Sequence, residues 1–177
     1  MGVFTQPRDG CNIYQKDRDG GVKVAINQKC QYALRALYEL SLHYPSGPVK
    51  IAHIAHSQGI PKKFLEGILG LLKSLGYVKS HRGKDGGYSL AKPPGQISVG
   101  EVIRGVQGPF SPVECIIGED HCQLKGRCSF RPLWERAKAA LEEVYDHTTF
   151  QDLLDQDKTP TEGERLESKG GSSDEPD

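Results

Sequence analysis

The sequence predicts a mainly α-helical fold carrying one small β-hairpin. Apolar residues recur at helical spacing in five separate segments. Between the third and fourth of these, two apolar–polar alternations flank a glycine-rich tip. Proline and glycine punctuate the joins, where a helix cannot continue. A chain of 177 residues suits one domain with appendages.

In the first helical segment, Cys30, Ala33, Leu34, Leu37, Leu40 and Ser41 share a face, and Pro45 ends it before a Ser46-Gly47-Pro48 turn. A short helix follows around Ile51, Ile54 and Ala55 and closes at Gly59. Pro61 suits the first turn of a third helix, because that position has no intrahelical partner for an amide hydrogen. This helix places Phe64, Leu65, Ile68, Leu69, Leu72 and Leu75 on one broad apolar face and stops at Gly76. Two short helices around a glycine-containing turn make a helix-turn-helix.

The segment from Tyr77 to Leu90 then reads as a hairpin with Arg82 and Lys84 at its tip, a wing able to reach a nucleic-acid backbone or minor groove. After the break at Lys92-Pro93-Pro94-Gly95, a fourth helix holds Val99, Val102, Ile103 and Val106. Beyond a cysteine-bearing loop, Leu133, Trp134, Ala137, Leu141, Val144, Tyr145 and Thr148 recur over roughly four turns. Little chain follows to cover that stripe, and it reads as a dimer seam, with packing onto its own domain as the alternative. The expected organisation is an N-terminal extension without structure (1–21), a winged helix-turn-helix domain (22–110), a cysteine loop (111–129), a dimerisation helix (130–154) and a disordered acidic tail (155–177).

The net charge of zero conceals an asymmetry. Residues 22–110 hold 12 Lys/Arg against 4 Asp/Glu, and residues 111–177 hold 8 against 16. A basic half is the electrostatic footprint of a nucleic-acid-binding surface, although a solvated lysine-rich face has the same composition. The opening stretch is polar and glycine-rich with no apolar run, which argues against export and for a cytoplasmic protein. No segment approaches the roughly eighteen apolar residues of a membrane span.

Cys115, Cys122 and Cys128 lie on one glycine-containing loop. Soft thiolates favour iron–sulfur clusters or zinc over hard cations. The Cys-x-x-Cys pairs usual in structural zinc sites are missing, and the five cysteines are an odd number for a disulfide framework. Spacing alone leaves three readings open: an iron–sulfur site, a zinc or thiol-redox site, and an incidental loop. Cys11, in the extension, is a weak ligand candidate.

Taken in order, Tyr32-Ala33-Leu34-Arg35-Ala36-Leu37, Gly76-Tyr77-Val78, Arg82 to Leu90, Ser98-Val99-Gly100-Glu101-Val102-Ile103 and the three cysteines followed by Leu133-Trp134 resemble the iron–sulfur cluster regulator and nitrite-sensitive repressor family of bacterial winged-helix transcription factors (IscR/NsrR-like). The resemblance covers roughly residues 22–155. It implies a homodimer binding double-stranded promoter DNA, with an iron–sulfur cluster, two-iron or four-iron, held by Cys115, Cys122 and Cys128. The implied DNA contacts centre on Lys63 and Glu66 in the major groove and Arg82 in the minor groove, where negative potential is enhanced. Pro61, Lys62 and Lys84 complete that candidate surface.

The chain departs from the family at the fourth cluster ligand. A histidine completes the two-iron site of one relative, and the matching position here is Arg131, which stays protonated and cannot ligate. Another relative uses an aspartate from the first helix of the opposite subunit, matched here by Gln31. Cys30, His121, Glu119 and Asp120 are the other candidates, with Cys30's apolar setting favouring the core. The expected function is a transcriptional regulator, a repressor, that senses iron–sulfur status, redox state or nitric oxide. The same regulator with a thiol or zinc switch is the alternative, and an iron–sulfur electron carrier is further off. No nucleophile sits with a base partner, so an enzyme is not expected.

Overall fold

The computed structural model describes residues 26–116, 124 and 126–158. The extension expected over 1–21, with Cys11, lies outside the described residues, as do Glu119, Asp120, His121 and Cys122 and the tail from 159 onward.

Helix α1 spans Gln28–Leu42, and Asn27 caps it by accepting a hydrogen bond from the Cys30 amide at 2.8 Å. Helices α2 (Ile51–Ser57) and α3 (Lys62–Ser74) follow as expected, with Pro61 at the N-cap of α3. Leu65, Ile68, Leu69 and Leu72 of α3 are buried, joining Ala33, Leu37 and Leu40 of α1 in the main core. Phe64 departs from the expected face and is 63% exposed. Leu65, Ile68, Leu69 and Leu72 span one arc of the helix, and the turn of about 100° per residue carries Phe64 outside that arc.

Strands β1 (Val78–His81) and β2 (Gly87–Leu90) form the antiparallel hairpin, registered from Val78 opposite Leu90 to His81 opposite Gly87. Val49 exchanges hydrogen bonds with Tyr88 at 2.8 and 2.9 Å, which anchors the wing to the segment entering α2. Gly87 is required at that crossing, because a Cβ there would run into the Val49 carbonyl.

Helix α4 (Val99–Gln107) is capped by Ser98 and packs on α1. Helix α5 spans Arg131–His147 and packs on α4. The seam helix expected over 130–154 is two helices. Thr149 starts α6 (Phe150–Asp157) with a capping box shared with Asp152. The turn between them pairs with the start of α4: the Val99 amide donates to Thr148 O at 2.8 Å and the Phe150 amide to Ile97 O at 3.1 Å. These bonds return the chain to its own core, where Phe150 is 1% exposed. Helix α6 lies on α1, and Tyr38 donates to Asp157 at 2.7 Å. The stretch expected to be tail from 155 is therefore helical through Asp157.

Candidate nucleic-acid interface and cysteine loop

The helix-turn-helix and the wing present their charges outward. Lys62, Lys63 and Glu66 are exposed on the first two turns of α3, and Arg82 and Lys84 are exposed at the wing tip. Among the described residues, none of these four cations is engaged in an ion pair or side-chain hydrogen bond. Uncompensated cations on a helix N-terminus add to the positive end of its macrodipole, so an anion there is favoured twice over. Phe64, between Lys63 and Leu65, adds an exposed aromatic ring to the same helix. The sequence placed Phe64 on the apolar face of this helix and not among the candidate contacts.

The cysteine loop is anchored at both ends. Before it, Phe110 is buried and meets Tyr145 of α5 edge-on, with ring centroids 5.2 Å apart. The buried Ser111 hydroxyl donates to Val113 O at 2.8 Å, fixing the turn that leads out. Cys115 lies in a single 3₁₀ turn, Glu114–Ile116, that contacts α5. At the other end Cys128 O accepts from the Arg131 amide at 3.2 Å, leading directly into α5. Both thiols are half-buried. Thiolate donors at the two roots of a loop, with a third in sequence between them, are a donor set that suits an iron–sulfur cluster.

Two fourth-ligand candidates, Cys30 and Gln31, lie on α1, and Glu119, Asp120 and His121 are outside the described residues. Gln31 is exposed on α1, and its amide nitrogen donates to Ile26 O at 2.8 Å. Cys30 is fully buried in a small cluster with Ile103 and Phe110. Arg131 reaches Glu135 at 2.8 Å within the first turn of α5.

The loop is tied to the head through α4 and α5. Arg104 meets Asp146 at 2.8 Å, and that hydrogen bond raises the guanidinium's pKa above its already high ordinary value. Gly100 allows the two helices to approach, since a Cβ there would collide with the Asp146 side chain. Helix α5 itself has no buried residue: Leu133 is half exposed, Val144 more so, and Phe130 stacks on Trp134 at 6.2 Å. Among the described residues, no helix is long and apolar enough to cross a membrane.

A family model described as "Iron-dependent Transcriptional regulator" (Rrf2) matches residues 26–156. The regulator CymR of Bacillus subtilis is 37% identical over 128 residues, covering 72% of this chain and 88% of the relative. NsrR of Bacillus licheniformis is 39% identical over 124 residues, covering 70% and 87%. Among solved structures, that of T. potens IscR superposes with a TM-score of 0.62 at 30% identity, covering 84% of this chain and 93% of that one. The match spans the winged helix-turn-helix, the cysteine loop and both C-terminal helices, and with these relatives the chain belongs to the Rrf2 family of transcriptional regulators.

Proposed function

We propose that the chain is a homodimeric repressor that binds double-stranded promoter DNA and senses iron–sulfur status, redox state or nitric oxide through a cluster held by Cys115, Cys122 and Cys128. The observation that carries the DNA reading is the set of uncompensated, exposed cations on α3 and the wing. Lys62, Lys84 and the positive end of α3 suit phosphate contacts, which position a protein on the duplex without reading sequence. Lys63 and Glu66 would suit base edges in the major groove, and Phe64 the methyl group of a thymine. Arg82 at the wing tip suits a narrow minor groove.

Dimerisation through α5 would present two such heads to two half-sites. An iron–sulfur cluster bound to the loop would supply redox- and nitric-oxide-sensitive chemistry. The chain's own contribution is the linkage from loop to head: Cys128 leads into α5, and Asp146 of α5 holds Arg104 of α4. A change in the loop alters DNA affinity only as far as it favours one arrangement of the heads over another.

A second reading is favoured by one relative: CymR is named the global cysteine regulator of B. subtilis. In that reading the same three cysteines act as a thiol or zinc switch on the same DNA-binding head.

Two measurements test the proposal. Arg82→Ala weakens binding to a palindromic promoter fragment by about 1–3 kcal/mol, measured across a salt series. Unchanged affinity and salt slope place the DNA surface elsewhere. Anaerobic purification with iron and sulfide counts finds both elements, and Cys→Ala at 115, 122 or 128 removes them. A colourless protein with stoichiometric zinc defeats the cluster reading and leaves the regulator standing.

A further inference from the structure

Away from the cysteine loop, three side chains converge where α1 meets α2. Glu39 is only 3% exposed, an uncommon place for a carboxylate. His43 follows it at i+4, so the two share one face at the end of α1. His53 approaches from α2. The Nε2 atoms of His43 and His53 stand 3.2 and 3.0 Å from the same oxygen, Glu39 Oε1. The two rings meet edge to face at 5.3 Å. Gln58 donates to the other carboxylate oxygen at 2.8 Å, which fixes the orientation of the group.

We propose that Glu39, His43 and His53 form a binding site for a zinc-class divalent metal ion, separate from the cysteine loop and independent of what that loop holds. One ligating atom from each residue lies within 4.8 Å of the others. Ligand atoms around a tetrahedral zinc with bonds of about 2.0–2.1 Å stand roughly 3.3 Å apart, so the two His–Glu distances need to open by only a few tenths of an ångström. Two imidazoles and a carboxylate are a donor set that zinc and its neighbours prefer. The histidine side chains are 41% and 54% exposed on their outer sides, which leaves solvent access and room for water as a further ligand.

Gln58 supplies the outer hydrogen bond that oriented metal-binding carboxylates require. A ring that ligates through Nε2 gives up its hydrogen bond to Glu39 and carries its hydrogen on Nδ1. The ion would neutralise the buried carboxylate and clamp α1 to the first helix of the helix-turn-helix. The competing reading is a carboxylate satisfied by two imidazole N–H donors, with no affinity for metal.

The test uses the full-length chain with Cys115, Cys122 and Cys128 replaced by serine, so that the loop thiolates cannot take the ion. Titration calorimetry with zinc, and visible absorption with cobalt(II), should each show one saturable equivalent per chain. His53→Gln and His43→Gln, added singly, should weaken binding at least tenfold. Glutamine can still donate to Glu39, so unfolding midpoints without metal should stay close to the parent's and separate loss of a ligand from loss of the fold. The proposal is overturned if no stoichiometric ion binds, or if both variants bind as tightly as the parent.

Discussion

Helices α3 and α5 carry the same kind of amphipathic pattern and are finished in different ways. In α3, Leu65, Ile68, Leu69 and Leu72 are buried by the chain's own α1 and hairpin. Helix α5 is longer, 17 residues against 13, and buries none of them. Its inner edge touches the head through Tyr145 and Asp146, while Leu133, Leu141 and Val144 face outward. An apolar stripe therefore reports that a face wants cover, and only tertiary structure reports whether the cover comes from the same chain. A contiguous apolar face left on a folded head is the usual mark of an association site.

The largest expected effect breaks the self-covered side of the comparison. Phe150 is buried where α6 closes the head, so Phe150→Ala should cost about 3–5 kcal/mol in denaturant unfolding. A loss below about 1 kcal/mol would mean that α6 is peripheral to the core. For the same reason a chain cut near Phe130 would lose Phe150 and Leu154 from the head, so substitutions test the seam more cleanly than truncation does.

This junction also marks the limit of what the residues disclosed. Helices α1 to α4 and the wing were legible because their signals are local: apolar spacing, Pro61, Gly59 and Gly76, and the glycine-rich tip. The break after His147 depends on Thr148 and Phe150 pairing with residues 97–99, some fifty positions earlier, and no local periodicity encodes that. The one local clue was Thr149 with Asp152 three residues on, a helix-start pattern inside an apparently continuous stripe. The Glu39–His43–His53 cluster was hidden for the same reason, since α1 and α2 meet there only after folding. Charge and helix position name the candidate DNA-contact positions, and the structure leaves their side chains exposed. The middle of the cysteine loop, with Cys122, lies outside the described residues.

A smaller effect sharpens the comparison at the edge of α6. Accepting the Tyr38 hydrogen bond, the Asp157 carboxylate favours the neutral phenol and raises its pKa from 10.0 to about 12. A group whose pKa is raised on folding contributes stability below its ordinary value and loses it as pH rises through the folded one. Tyr38→Phe should therefore cost no more than about 1 kcal/mol at neutral pH, because the contact is open to water. The difference from the parent should vanish as pH approaches 12. A deficit that persists there would assign the cost to packing instead of the hydrogen bond.

If a second copy of the chain covers α5, sedimentation equilibrium of the full-length protein should find a particle of twice the 19.5 kDa chain mass. Val144→Asp, on the exposed stripe, should then sediment as a monomer with its helical spectrum intact. A wild-type monomer, or a Val144→Asp dimer as tight as the parent, would contradict that arrangement.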